Sequence, residues 1–495
     1  MRPLLLLTVT VSLILSTPVG ESIADELFIG SATADITPTG PVALCGQFRL
    51  RISKKNETPL EACVVVLETR RDGKTIDTAI MITCDLVWGS DAVFEVVRQA
   101  VKKRLPDLDT GKIFISGTHT HTAPVLLGGK DCLYQIPKQG VVQVEEYLKF
   151  LGERIAEAVE KAWKTRSPGS FTWGLSHAVV AYNRRVVYDN GSAKMYGVTH
   201  TPNFSHIEGY EDHDIGTLFF WNKTGELIAI AVNVSCPAQE VEHRNEVNAD
   251  YWHPTRQLLR KRFGKNVNIL TWIGAAGDQS PHIRFRKAAD DRMRRLRNLD
   301  TLGEIARRID RAVDEAFEVV KNDRHSDVTM IHDVQKIRLP VWPISYEEYA
   351  ESKADMQKSK DKIAKDPKEA DKGAYLAMRW HGEVVRRYER EKADPKAAFE
   401  TEIHVLRLGD VAICTNPFEL FTDFGIRMKA RSKANQTFVV QLTGGPGGGS
   451  PYLPPERSKK KGGYSAIAPS CNVGPEGGKV LVDHTVNTIN ELMKK

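Results

Sequence analysis

Three observations on this chain of 495 residues predict an α/β fold of mixed β-sheets covered by helices. Short apolar, β-branched runs alternate with segments whose apolar residues recur at helical spacing. Apolar residues make up 41% of the chain, enough to build a core in one large domain or two medium ones. No internal repeat breaks the alternation.

The N-terminus carries Arg2, an apolar stretch from Leu4 to Leu15 and a small-residue site ending Ser22-Ile23-Ala24. A core of roughly 12 residues suits a cleaved secretory signal over residues 1–24 and is short of the ~20 that span a bilayer. The mature chain, 25–495, is therefore expected to be exported, secreted or periplasmic. The other reading of the same stretch is an uncleaved anchor.

"ACVVVLET" and "DTAIMITCDLVW" then read as strands and "SDAVFEVVRQAVKKRL" as a helix. "KIFISG" is a buried strand handing over to "THTHTAP", and "VVQVEEYLKFLGERIAEAVEKAWKT" is helical. "GTLFFWNKTGELIAIAVNVSC" predicts a hairpin turned at Lys223 to Gly225. Residues 344 to about 400 are dense in alternating charge at helical spacing and predict a solvated helical excursion. Core-like sequence returns with "ETEIHVLRLGDVAICTNPFELF".

Seven cysteines are too sparse for a disulfide scaffold, and their odd number leaves at least one thiol free or on a metal. The formal charge of +6 is spread along a chain whose acids nearly balance its bases, which argues against a dedicated nucleic-acid binder.

Chemistry-bearing residues gather at strand ends. In "GTHTHTAP", His119 and His121 lie two apart, so in extended chain both rings face one pocket, as a metal site or an acid/base pair requires. Two histidines hydrogen-bonded in a rim loop would read the same. "NVSCPAQEVEHRNEVNADYWHPTR" offers Cys236, Glu240, Glu242, His243, Asp250 and His253; "WIGAAGDQSPH" offers Asp278, Ser280 and His282. "CTNPFELF" places Glu419 after a strand, and a glycine-rich loop carries Ser450, Tyr452 and Tyr464. Strand-end loops of an open α/β architecture converge at one sheet edge, where ligand sites are built.

"FIGSATADITP", "GTHTHTAP", "AYNRRVVYDN", "AAGDQSPH", "NPFELF" and "GGY" occur in the order of the motifs of the neutral/alkaline non-lysosomal ceramidase family, which the chain resembles over nearly all its mature length. Segment 344–400 matches least. The resemblance implies the catalytic domain of that family without its C-terminal immunoglobulin-like domain. It also implies a zinc-dependent hydrolysis of the amide bond in an N-acyl sphingosine or a related small-molecule or lipid amide, with transient contact at a membrane surface. By the same resemblance the metal ligands fall on His119, Cys236, Glu419 and Tyr464. His121 stands beside the metal, and Arg184, Asp278 and Ser280 lie near the substrate.

Two positions depart from the family pattern. Phe418 stands where the family has Gly, and Cys236 stands where it has a second histidine ligand, although the interval from Cys236 to Asp250 is kept. Zinc accepts thiolate at about 2.3 Å as it accepts imidazole at about 2.0 Å, but thiolate and carboxylate together would cancel the ion's charge and polarise its water less. Cys236 as a buried small residue is the competing reading. Competing functions are a serine nucleophile, Ser280 or Ser450 with a histidine base, and an exported binding or scaffold protein of the same fold.

Overall fold

The computed structural model describes residues 25–129, 132–444 and 451–495, so the expected signal at 1–24 and Ser450 lie outside the described residues. The fold is mixed α/β, as predicted. Its larger sheet has eight strands in the spatial order Asn268–Ile273, Leu227–Val234, Asp214–Asn222, Ser167–His177, Glu26–Asp35, Glu61–Arg71, Lys74–Cys84 and Ile113–Gly117. The two outermost pairs are parallel and the rest antiparallel. This sheet curls over on itself. Thr271 near one edge meets Thr83 of a strand from the other end, their hydroxyls 2.9 Å apart, and the two halves bury a common core of Val64, Ile82, Leu270 and Trp272.

Helices follow from local signals. Asp91–Arg104 starts at Ser90, whose side chain accepts from the Val93 N–H, carries Asp91 in its first turn and ends on Lys102, Lys103 and Arg104, complementing the helix dipole. Val144–Thr165 lays Val144, Tyr147, Leu151, Ile155 and Val159 against the sheet at three- and four-residue intervals. The expected hairpin forms between Asp214–Asn222 and Leu227–Val234, with Gly225 at φ +79° in its turn.

The second sheet, ordered Met330–Pro340, Ala398–Leu408, Val411–Thr415 and Gln436–Val440, is backed by helices Thr422–Arg431 and Pro475–Leu492. It is tied to the first where Gln441 N–H donates to Ile273 O at 3.0 Å and Asn233 donates to Val439 O at 3.0 Å. Strands ending at Gly117, Val234, Ile273 and Thr415 thus discharge their loops at a common junction.

Residues 344–400 form two helices, Tyr346–Lys365 and Tyr375–Ala393, packed on each other with Tyr349 stacked on Tyr388 at 4.4 Å. A capping box between Ser345 and Glu348 starts the first. The hairpin is not solvated on every side. Gly373, at φ +112°, brings its backbone so close to Phe48 that a β-carbon there would lie 2.6 Å from the Phe48 carbonyl oxygen.

Between the sheets a relay runs from two buried histidines to a half-buried ion pair: His332 Nε2 to His404 Nδ1 at 2.9 Å, His404 Nε2 to Glu402 at 3.1 Å, and Glu402 to Arg98 at 2.6 Å. Burial pushes the Glu402 carboxyl up, but His404 and Arg98 more than reverse this and hold it at about 2. A depressed carboxylate stabilises the fold above its ordinary range, and that contribution is lost as pH falls from about 4.5 towards 2. Chemical unfolding across this window should show stability dropping by roughly 1–3 kcal/mol more in the parent than in Glu402→Gln.

Candidate active site

His119 and His121 come together, though not because they share a strand face. The strand ends at Gly117, and His119 takes a left-handed conformation, φ +64°, that swings its ring back. The rings then meet edge to face with centroids 4.7 Å apart and Nε2 atoms 3.2 Å apart. His119 and His121 are only 3% and 9% exposed.

Each ring has its own carboxylate. His119 Nδ1 lies 2.8 Å from the Val87 carbonyl and so donates there, while its Nε2 lies 3.3 Å from Glu419 Oε2. With Nδ1 already protonated, the ring meets Glu419 with a hydrogen only as imidazolium. His121 Nδ1 lies 3.2 Å from Glu242 Oε2, and its Nε2 lies 2.7 Å from the amide nitrogen of Gln239, which donates to it. Burial pushes Glu242 up, yet contact with His121 and the charges of His121, His282 and Arg184 hold it at about 2. Burial keeps the His121 ring below the ordinary histidine range, against the pull of Glu242. Gly46 covers His121 so closely that a β-carbon would lie 2.3 Å from its Cγ.

Arg184 is the centre of the site. Its side chain is 1% exposed, and it donates to Gln239 Oε1 at 2.9 Å, the Tyr196 hydroxyl at 3.0 Å, Gly277 O at 3.0 Å, the Tyr452 hydroxyl at 3.3 Å and Glu419 Oε2 at 3.4 Å. Burial works against its charge, but Tyr196, Tyr452 and Glu419 raise its proton affinity well above the ordinary range. Burial likewise pushes Glu419 up, and His119 and Arg184 bring it below the usual carboxylate range.

Asp278 is a tie between loops. It accepts from the Thr422 N–H and hydroxyl and from Asn183, at 2.8–2.9 Å, and its backbone carbonyl accepts from Arg184 N–H. Ser280 Oγ accepts from the backbone N–H of His282 at 3.0 Å and lies 3.5 Å from the Tyr196 hydroxyl; among the described residues no imidazole is bonded to it. The serine-nucleophile reading gains no support from this geometry.

Two other expected residues stand off from the His119–Glu419 pair. Cys236 Sγ faces the carbonyls of Val180 and Pro237 at 3.8 and 3.7 Å, and burial, then Asp250 and Glu240, push its thiol well above the ordinary range. Tyr464 hydrogen-bonds the hydroxyl of Tyr452, and Tyr452 is the phenol that reaches Glu419, opposite which it sits in a two-residue strand pairing. Further out, Tyr464 packs on Phe48 and on Trp380 of the helical hairpin, at 5.4 and 5.7 Å. Gln239, Glu242, Tyr196 and Tyr452 are the site residues the sequence did not assign. Arg51 holds two of the loops together, donating to the carbonyls of both His121 and Glu242.

No protein-family model matches the chain, and no curated protein matches it in sequence. Among solved structures, the crystal structure of neutral ceramidase from Pseudomonas aeruginosa superposes with a TM-score of 0.66 at 14% identity, covering 95% of this chain and 75% of that one. A ceramidase complexed with C2 gives 0.63 at 14% identity, covering 95% and 76%. The fold is therefore that of neutral ceramidase.

The zinc set expected from the sequence does not fit these side chains. A tetrahedral shell with bonds near 2.0 Å needs donors about 3.3 Å apart around one point. His119 Nε2 lies 3.3 Å from Glu419 and 3.2 Å from His121 Nε2, whereas the Cys236 sulfur is turned to the carbonyls of Val180 and Pro237 and the Tyr464 phenol is bonded to Tyr452. Among the described residues no group of three or more His, Cys, Asp or Glu is arranged to hold a metal ion. Arg184, instead, neutralises Glu419.

Zinc titration of Cys236→Ser should give the same affinity, or the same lack of it, as the parent, read by calorimetry. Gly46→Ala should lower any turnover by at least ~10-fold through displacement of the His121 ring, because the substitution meets both a steric overlap and a strained φ of +93°.

Proposed function

We propose that this chain is an exported hydrolase of amide bonds in small-molecule or lipid amides. The observation that carries the reading is the opposed pairing of the two imidazoles: His121 against Glu242, with its Nε2 accepting from the Gln239 amide, and His119 against Glu419. One ring is set to take a proton, and the other presents its Nε2 to a carboxylate.

In the reaction we infer, water takes the place of the Gln239 amide at His121 Nε2 and gives that nitrogen a proton as its oxygen attacks the carbonyl carbon, and Glu242 steadies the imidazolium that results. The carbonyl π electrons move to oxygen, and the oxyanion is met by Arg184 and the Tyr196 or Tyr452 hydroxyl. Collapse breaks the C–N bond, and the proton held on His121 passes to the leaving nitrogen, giving a carboxylic acid and an amine. Asp278 and Arg51 act by fixing the loops that present these groups. No step is routed through zinc, since the donors expected for it are not assembled.

The fold shared with neutral ceramidase supports an N-acyl sphingosine as one candidate substrate, by analogy alone. Export rests on the first 24 residues; no helix among the described residues is long and apolar enough to cross a membrane.

The test is a panel of amides running from N-acetyl compounds to N-acyl sphingosines, assayed with the parent and His121→Ala. The parent should cleave at least one class. The variant should lose ~10²–10⁴-fold in kcat with an unchanged melting temperature. Silence of the parent across the panel would favour the binding or scaffold role.

A further inference from the structure

The stretch "RFRKAADDRMRRLR", residues 284–297, carries seven bases against two acids, a local concentration hidden by the near balance of the whole chain. Most of it is helix Lys287–Leu296, and that helix has no buried residue.

Its orientation is the reverse of an ordinary surface helix, which turns its apolar stripe to the core. Ala289, Met293 and Leu296, at i, i+4 and i+7, share one face, and all are exposed; Met293 is 44% and Leu296 68% accessible, with Phe285 just before the helix at 49%. Asp290 turns inward instead, while Asp291 pairs along the helix. Asp290 is bonded to Arg308 at 3.0 Å and Asp291 to Arg294 at 2.8 Å. Arg286, Lys287, Arg292 and Arg295 are exposed around the apolar face.

We propose that this segment is an interfacial anchor that docks the protein on an anionic phospholipid surface. Apolar side chains ringed by guanidinium and ammonium groups match the boundary between acyl chains and negatively charged headgroups. Nucleic acid would use the charge but leave Phe285, Met293 and Leu296 without a partner.

The anchor adjoins the active site. Arg284, Lys287, Asp290 and Arg294 line a cavity of about 230 Å³ together with Glu240 and His282. Arg284 lies over the Tyr196 ring at 5.0 Å, and the Tyr196 hydroxyl accepts from Arg184. Docking through this face would bring that cavity to the lipid surface.

The test is cosedimentation of the full chain with phosphatidylcholine vesicles, with and without about 30% phosphatidylglycerol. Binding should require the anionic lipid and fall with salt. Met293→Ser/Leu296→Ser and Arg292→Glu/Arg295→Glu should each weaken it at least ~10-fold, with melting temperatures unchanged. Equal binding by parent and both variants, binding to neutral vesicles alone, or tight binding of a single-stranded RNA without vesicle binding would overturn the proposal. None of these readouts depends on amide cleavage.

Discussion

A buried guanidinium governs this structure. Arg184 is cut off from water, and an uncompensated charge there would cost far more than the fold could bear. Its compensation comes from four separate loops, through Glu419, Tyr452, Gln239 and the Gly277 carbonyl, and from Tyr196 beside it. The loops are therefore held by one cation. Each must adopt its observed course or leave that charge unpaired.

The same constraint explains why both histidines find distinct environments. Glu419 is shared between Arg184 and His119, and Gln239 bridges Arg184 to His121. Asp278 and Arg51 work one layer behind, with hydrogen bonds that join loops distant in sequence. The architecture supplies the edge at which these loops emerge, and polar contacts supply their precise placement. That division suits a fold shared with neutral ceramidase at 14% identity.

Strand ends were legible in the sequence because β-branched runs and their breakers are local signals, and they led to His119, Glu419, Asp278 and Ser280. Periodicity correctly paired His119 with His121 for an incomplete reason: the ring contact depends on a left-handed residue, which apolar spacing does not report. Glu242 and Gln239 lie in the irregular loop between Cys236 and Asp250. That loop is closed by Asp250 accepting from Val241 N–H at 2.8 Å, and no repeat marks which of its side chains turns inward. Tyr452 owes its place to a two-residue strand pairing too short to predict. The outward stripe of Met293 and Leu296 has the same helical period as a buried one, so only the packing around it reveals its direction.

The helical hairpin follows a different logic. Its outer surface faces solvent, yet Val384 is buried, Arg387 donates to the carbonyls of Ala468 and Cys471, Trp380 rests on Tyr464 and Gly373 lies against the Phe48 backbone. Across descendants of this chain the outward positions of the hairpin are therefore free to drift, whereas a side chain at Gly373 or the loss of the indole at Trp380 would disturb rings that lead inward to Glu419.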